Sequence, residues 1–239
     1  PAFKKGLLGM TTAGMGALLG NGLAQIAEAG GGGEGAKRFR RASQIAILLG
    51  LLVMLLDETG DYVPGASDNA SAVACLLGLA AHLKEHPLRH TEVWFAFTGA
   101  EEVGCLGTYA LLDAYGDTLR DAWFLDLEMV ATENIAYVTR HSGFALPSAY
   151  RPDSESLAWV EETARAHPEI PISGREMVIG EEVGALRKRG YRGVCLVGYG
   201  EDGWLANWHQ PTDTVANVNP AGLEKAARFA WAMIEHLDP

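Results

Sequence analysis

The segment TEVWFAFTGAEEVGCLGTYALLDAY, residues 91–115, joins an apolar run to a helical pattern through a glycine. Its first part, Thr91–Thr98, is rich in aromatic and β-branched residues and predicts a buried strand. Its second part, from Glu102 to Tyr115, predicts a helix. Glu101 and Glu102 therefore lie where a strand gives way to a helix, at the edge where α/β sheets bind ligands. The favourable interaction of acidic side chains with a helix N-terminus is the alternative explanation for this pair.

An alternation of strands and helices extends on both sides of this segment, from residue 57 to the end of the chain. Such alternation is typical of an α/β fold, in which helices cover a central sheet. The predicted strands are Ala122–Val130 and Arg192–Gly198, and the predicted helices are Asn69–Lys84, Ser154–His167 and Pro220–Leu237. On the first of these helices, the apolar side is expected to carry Val73, Leu76, Leu77, Ala80 and Leu83.

Two apolar stretches precede the α/β pattern. Gly6–Ile26 and Ala42–Leu56 are joined by the polar, glycine-rich link AEAGGGGEGAKRFRR. They predict a helical hairpin over residues 1–56, followed by the α/β domain over residues 57–239. Three placements are open for the hairpin: across a membrane, on a membrane surface, or packed on the domain. The second stretch, of about 15 residues, is shorter than the roughly 20 that span a bilayer.

Membrane association through residues 6–56 is the placement that these stretches favour. The spacing Gly16-x-x-x-Gly20 allows two helix backbones to approach closely in lipid. The basic link would then face the cytoplasm, because positively charged loops stay on that side. The domain after Asp57 is accordingly expected to be membrane-associated or extracytoplasmic.

The overall charge argues against a nucleic-acid partner. The 239 residues carry a formal net charge of −11, and the dense basic run at residues 37–41 is confined to the link. Nucleic-acid binding requires clustered Lys and Arg on one face. Cys75, Cys105 and Cys195 are too few for a disulfide framework and are expected to be small buried residues. The chain starts at Pro1 without a signal-peptide pattern, so we expect a fragment or a processed chain.

Further carboxylates stand at the ends of other predicted elements. Asp68, in PGASDNASAVA, precedes a helix, where it would act either as a helix cap or as a ligand. Asp126 and Glu128, in AWFLDLEMVA, fall on one face of a strand because side chains alternate along it. Buried carboxylates are costly unless they are paired or bind a metal. A structural ion pair is the alternative, although the chain has only 19 Lys and Arg residues.

One histidine complements these carboxylates. His209, in NWHQPTDT, precedes the last predicted helix. A loop histidine is usually no more than an exposed residue, but carboxylates bind zinc better when an imidazole joins them. Tyr199, Trp204 and Trp208 flank it in the sequence and would either line a pocket for an apolar side chain or fill the core.

Four blocks of the sequence together resemble a known family. PGASDNASAVA, FTGAEEVGCLGTY, LEMV and WHQPTDT, in this order, look like the motifs of the M28 family of di-zinc aminopeptidases, over the chain from about Tyr62 to the C-terminus. The resemblance implies a mixed central sheet flanked by helices, a phosphorylase/hydrolase-like zinc-peptidase fold, and a peptide substrate. It also implies that Asp68 bridges two zinc ions, that Glu101 is the general base, and that Glu102 and His209 are zinc ligands.

Two positions depart from the family pattern. In the third block the family has an aspartate before Met-Val, and this chain has Glu128, which we expect to ligate zinc, with Asp126 as second choice. The family's His-x-Asp block has Leu55-Leu56-Asp57 as its nearest counterpart, without a histidine. Either the site is damaged, or the motif lies upstream of Pro1 and the hairpin is inserted after it. Two zinc ions are expected in the second case and one otherwise.

The function that these expectations favour is zinc-dependent hydrolysis of peptide bonds by an aminopeptidase. A catalytically inactive M28-like receptor or scaffold is one alternative, since a zinc ligand is missing. A glutaminyl-cyclase-like transferase that works with a single zinc is another.

Overall fold

The structure is a computed structural model that describes residues 2–57, 59–60, 62–142 and 149–238, with the side chains of residues 2–12 and 57 left out. The described residues form two compact units that divide near residue 62. The first unit holds two N-terminal helices, and the second holds a sheet with the remaining helices.

The first unit is a hairpin of two helices, α1 (Ala2–Ala29) and α2 (Glu34–Asp57), which pack against each other. The Gly32 N–H donates to the Ala27 carbonyl at 2.7 Å and closes the turn between them. Both predicted helices are confirmed, and α2 takes up most of the basic link because its polar residues are compatible with a helix. Within the described chain, Glu34–Leu56 is long and apolar enough to cross a membrane.

A four-stranded sheet forms the centre of the second unit. Its strands are β1 (Trp123–Glu128), β2 (Asn134–His141), β3 (Ser173–Met177) and β4 (Arg192–Tyr199), in the spatial order β1-β4-β2-β3. β1 runs parallel to β4, β2 runs antiparallel to β4, and β3 runs parallel to β2. The predicted mixed sheet is therefore confirmed. The predicted strands Ala122–Val130 and Arg192–Gly198 are confirmed as β1 and β4.

Five helices accompany the sheet in the described part of this unit. They are α3 (Ser71–Glu85), α4 (Leu106–Tyr115), α5 (Ser154–Ala166), α6 (Glu182–Lys188) and α7 (Pro220–His236). Phe229 and Met233 of α7 pack with Trp159 of α5 and Leu196 of β4 in one buried cluster. The Trp159 indole N–H donates to the Met233 carbonyl at 2.8 Å, so its polar atom is satisfied inside the core. Leu127 of β1 belongs to the same cluster, so this packing holds the strand that ends at Glu128.

The predicted strand over Thr91–Thr98 is wrong. These residues are not in a strand, and Trp94 and Phe97 are about half exposed, at 46% and 53%. A strand requires a neighbour that accepts its hydrogen bonds, and within the described chain β1 pairs only with β4. Residues 91–98 and β1 instead both line a cavity of about 720 Å³. The apolar composition of the segment favoured a strand, but composition contains no information about whether a pairing partner is present.

The apolar side predicted for α3 is also partly wrong. Its buried residues include Ala72, Cys75 and Leu79, whereas Val73 and Leu77 are 43% and 58% exposed. The sequence SAVACLLGLAA is apolar around most of the helix, so several faces fit the helical period and tertiary packing selects one of them. The three cysteines are free and buried, as predicted.

Three elements were not predicted: β2, β3 and α6. β2 has the sequence NIAYVTRH, whose β-branched and aromatic residues are a strand signal that was available. β3, with the sequence SGREM, is polar and mostly exposed, so its strand conformation depends on pairing with β2. α6 has only seven residues, too few for a helical period to be recognised.

Candidate metal centre

The loop that carries Asp68 is held by a carboxylate from a distant part of the chain. The backbone N–H groups of Ser67 and Asp68 donate to the two carboxylate oxygens of Asp213, at 2.6 and 3.0 Å. Asp213 is only 1% exposed, so water competes little for these bonds. Asp68 is not the cap of α3, because the residue that precedes α3 is Ala70 and no side chain caps this helix.

Asn69 joins the same loop to the end of β1. Its amide nitrogen donates to the Leu127 carbonyl at 2.9 Å, and its amide oxygen accepts from the Met129 N–H at 3.1 Å. These two backbone groups flank Glu128. The Asn69 side chain therefore sets the position of Asp68 relative to Glu128. Asn69 and Asp213 belong to the quoted sequence blocks, but nothing local in those blocks indicated their roles.

Glu101 and Glu102 lie on a tight turn, so the helix start predicted at Glu102 is wrong. Ala100 and Cys105 both have a φ of 57°, which is outside the right-handed helical region. The Cys105 N–H donates to the Glu101 carbonyl at 2.9 Å. α4 begins at Leu106, directly after this turn. The dipole explanation for the two glutamates fails accordingly, because neither of them is in the first turn of a helix.

Asp68, Glu102 and His209 come together at one point. The His209 Nε2 lies 2.9 Å from the Glu102 Oε1 and 3.5 Å from the Asp68 Oδ2. One potential ligand atom from each residue lies within 4.8 Å of the others. The imidazole stacks on the ring of Trp208 with a centroid distance of 4.2 Å, which restricts its orientation. This convergence is the arrangement that a shared metal ion requires.

Glu128 lies beside this cluster, in a deeper group of carboxylates. It ends β1 and is 7% exposed. Potential ligand atoms of Glu128, Asp126 and Glu182 lie within 4.8 Å of one another, and the same holds for Glu182, Glu101 and Cys105. Glu182 thus lies next to both the predicted base and the predicted ligand of β1.

The pair Glu181-Glu182 was missed by the sequence analysis. The Thr98 hydroxyl donates to Glu182 at 2.8 Å. Glu181 is buried, accepts from the Val183 N–H at 2.6 Å, and lies 2.5 Å from the Nε2 of His141. The available signal was a second pair of adjacent glutamates, in VIGEEVGAL.

Burial and mutual repulsion raise the pKa of several of these carboxyl groups. Burial first, and then the charge of Glu102, raise the pKa of Asp68 to about 6. Burial and the neighbouring Glu182 raise the pKa of Glu101 to about 7. The same two causes place the pKa of Glu128 well above its usual range. The group holds more negative charge than its surroundings stabilise.

The contact between Glu102 and His209 has the opposite effect on the carboxyl. Its hydrogen bond with His209 lowers the pKa of Glu102, and the same bond raises the pKa of His209. The hydrogen bond therefore favours the ionised forms of both side chains.

The side chains present fit a zinc ion. Two carboxylates and one imidazole are the number and type of ligands that catalytic zinc sites use, with a fourth position for water. The raised pKa values of Asp68 and Glu101 indicate an excess of negative charge that a divalent cation would neutralise. Asp68, Glu102 and His209 are the residues that would hold the ion.

The 720 Å³ cavity provides space next to these residues. Its lining includes Asp68, Glu101 and Glu128 together with apolar side chains such as Leu76 and Phe95. A polar reacting centre beside an apolar surface is typical of small-molecule and peptide sites. Tyr199 and Trp208 pack against the buried cluster of Met129 and Leu205, which supports the packing role for these two aromatics.

The family follows from a sequence comparison. A sequence model of peptidase family M28 matches residues 53–234, about three quarters of the chain. The chain belongs to this family. Among curated relatives of this M28 chain is the probable lipoprotein aminopeptidase LpqL of Mycobacterium tuberculosis. It is 27% identical in an alignment of 184 residues that covers 67% of this chain and 37% of the relative. This M28 chain therefore spans little more than a third of that relative.

Solved structures agree on the M28 fold. BSAP, a zinc aminopeptidase from Bacillus subtilis, has a TM-score of 0.58 at 22% identity, with 74% of this chain and 43% of that chain covered. The LapA aminopeptidase of Legionella pneumophila has a TM-score of 0.59 at 13% identity, with 74% and 47% covered. A glutaminyl cyclase from an Acidobacteriales bacterium has a TM-score of 0.52 at 17% identity, with 73% and 62% covered. At these identities the likeness establishes the fold alone.

Proposed function

We propose that this M28 chain is the zinc-binding part of an aminopeptidase that removes residues from the N-terminus of peptides. Membership of a peptidase family supports zinc-dependent peptidase chemistry. The single observation that carries the proposal is the convergence of Asp68, Glu102 and His209 within 4.8 Å. A bound zinc ion would supply Lewis acidity that polarises the scissile carbonyl and lowers the pKa of water.

Glu101 is the proposed general base. A base is most effective when its pKa lies near the working pH, and burial together with Glu182 raises the pKa of Glu101 to about 7. Glu101 accepts the proton of the attacking water and then donates it to the leaving amine. Glu182 accepts a hydrogen bond from the Thr98 hydroxyl at 2.8 Å. Its negative charge repels that of Glu101 and so favours the protonated form of Glu101.

Glu128 is the proposed ligand of a second zinc ion, with Asp126 as the alternative. Glu128 ends β1 beside the loop of Asp68, and Asn69 links the two segments. Asp68 also contributes to the raised pKa of Glu128, which indicates that their charges interact. Within the described chain this second position has carboxylates but no histidine within reach. One securely held zinc ion is therefore proposed, with a second that depends on a ligand from the His-x-Asp motif of the family.

The test is hydrolysis of aminoacyl arylamides by the full chain with zinc. The Glu101→Gln variant is expected to lower kcat by about 10²–10⁴-fold, the usual contribution of a general base. Its bound zinc should equal that of the unmodified chain, because Glu101 is not a proposed ligand. Glu224→Gln, an exposed position on α7, is the matched control and should leave kcat unchanged.

Two results would contradict the proposal. Full activity of the Glu101→Gln variant would show that Glu101 is not the general base. No turnover by an unmodified chain that binds zinc would favour the alternative of an inactive receptor or scaffold.

A glutaminyl-cyclase-like transferase is the second candidate, favoured by one observation. Among the groups of described residues that could hold an ion, Asp68, Glu102 and His209 form the one that includes an imidazole, and these three ligands would suffice for a single-zinc enzyme. Product analysis with a peptide that begins with Gln distinguishes the two. Release of free glutamine supports the aminopeptidase, and cyclisation of the N-terminal Gln with loss of ammonia supports the transferase.

A further inference from the structure

The N-terminal hairpin has its large apolar side chains on the outside. Every large apolar residue from Leu48 to Leu56 is between 45% and 66% exposed, and Leu18, Leu19, Leu23 and Ile26 of α1 are between 60% and 71% exposed. Consecutive helical residues are about 100° apart, so the run from Leu48 to Leu56 exposes apolar groups around the whole circumference of α2. A helix that is apolar on all sides is stable in a protein core or in lipid.

Small residues form the contact between the two helices. Ala24 and Ser43 are buried, at 3% and 6% exposed. A Cβ atom at Gly20 would lie 3.0 Å from the ring of Phe39 and 3.2 Å from the Ser43 Oγ, so the helices approach closely at this glycine. In a water-soluble helix pair the large apolar residues would be in the contact and the small ones outside. Apart from Phe39, whose ring lies against Gly20, the observed arrangement is the reverse. It matches helix packing in bilayers, where small residues allow close approach.

Four of the six basic residues of the hairpin lie near its turn, within residues 37–41. Lys37 and Arg40 pair with Glu34 and Glu28, at 2.8 and 3.3 Å. Arg38 and Arg41 lie in the same two helical turns. The other end of the hairpin has Lys4 and Lys5 on α1, and acidic residues stand at position 57, the last of α2, and at positions 58 and 61. Positive charge is therefore greater at the turn, which is the end that stays in the cytoplasm.

The lengths of the helices agree with a bilayer. α2 has 24 residues and α1 has 28, or about 36 and 42 Å at about 1.5 Å per residue. The hydrocarbon core is about 30 Å thick. The apolar part of α2 begins only at Ala42, and the long side chains of Arg40 and Arg41 compensate for this by extending to the headgroups.

We infer that α1 and α2 cross a lipid bilayer as a hairpin, with the turn at residues 30–33 and the basic residues 37–41 at the cytoplasmic headgroups. Both ends of the hairpin then lie on the opposite side, and the chain that follows Asp57 continues outside the cytoplasm. This inference rests on the hairpin alone and does not depend on the proposed peptidase activity.

The test uses the full chain in bacterial membranes. The chain should stay in the membrane fraction after alkaline carbonate extraction. The variants Gly33→Cys, where a Cβ atom meets nothing within 4 Å, and Thr59→Cys, an exposed position after α2, provide labelling sites at the two ends. The three natural cysteines are buried, so labelling of the unmodified chain with an impermeant maleimide gives the background.

Opposite accessibility is the expected result. The Gly33→Cys variant should be labelled only in inverted vesicles, and the Thr59→Cys variant only in intact spheroplasts. Labelling of both variants from the same side would overturn the inference, since it indicates a hairpin lying in one leaflet. Release of the chain by carbonate would overturn it as well.

A matched pair of substitutions separates lipid exposure from water exposure. Leu49, at the middle of the apolar part of α2, and Leu77 of α3 are both 58% exposed. Leu49→Asp should reduce the carbonate-resistant fraction several-fold, because a carboxylate at the centre of a membrane helix opposes insertion. Leu77→Asp should leave that fraction unchanged. Equal behaviour of the two variants would show that α2 is not in lipid.

Discussion

Replacement of Asp213 tests whether this buried carboxylate holds the metal centre together. Its two oxygens accept from the N–H groups of Ser67 and Asp68, at 2.6 and 3.0 Å, and the residue is 1% exposed. In Asp213→Ala both N–H groups lose their acceptor. Each unsatisfied buried donor costs about 1–3 kcal/mol, so the domain should lose about 2–6 kcal/mol of its free energy of unfolding.

The Asp213→Asn variant should be intermediate. The asparagine oxygen can still accept from one N–H group, but its NH₂ group faces the other donor. The expected loss is therefore about 1–3 kcal/mol, for one bond instead of two. Zinc affinity should fall by about 10–100-fold in both variants, the usual effect of removing a residue that positions a ligand. Asp68 itself is unchanged, so any loss of zinc comes from its displaced backbone.

The measurements are denaturant unfolding with EDTA and zinc titration without it, on the full chain. EDTA removes the stabilisation that bound metal would add to the unfolding data. Asp117→Ala, at an exposed position two residues after α4, is the control and should change neither quantity. If Asp213→Ala unfolds at the same denaturant concentration as the unmodified chain and binds zinc equally well, the role assigned to Asp213 is wrong.

Three other perturbations should change the stability or the zinc binding of the domain. With EDTA, the melting temperature of the domain should fall as the pH rises from about 4 to about 7. Folding raises the pKa of Asp68 from 3.8 to about 6 and that of Glu101 from 4.5 to about 7, so the stability present below the unfolded pKa values is lost as these groups ionise. A constant or rising melting temperature would contradict this. Glu128→Ala should bind less zinc by metal analysis while Asp126→Ala binds the normal amount, and the reverse result would transfer the ligand role to Asp126. Phe229→Ala should lower the free energy of unfolding, measured with denaturant, by about 3–5 kcal/mol because the ring is fully buried. A change below about 1 kcal/mol would mean that neighbouring side chains fill the space left by the ring.

Much of the fold was predictable from local patterns. β1, β4, α5 and α7 have the periods and boundary residues of their element types, and they were predicted within one or two residues. β3 and residues 91–98 show the limit of this approach. Each depends on whether another strand lies alongside it, and a local pattern contains no information about that neighbour.

The sequence by itself determined which chemical groups are available to the site: one imidazole at His209 and carboxylates at the ends of predicted elements, in an order that resembles one family. Only the tertiary structure decided how they are grouped. His209 contacts Glu102, and Asp213 accepts hydrogen bonds from the loop of Asp68. Glu182 lies next to both Glu101 and Glu128. These partners are distant in sequence, and their distances depend on the packing of the whole core rather than on the residues around them.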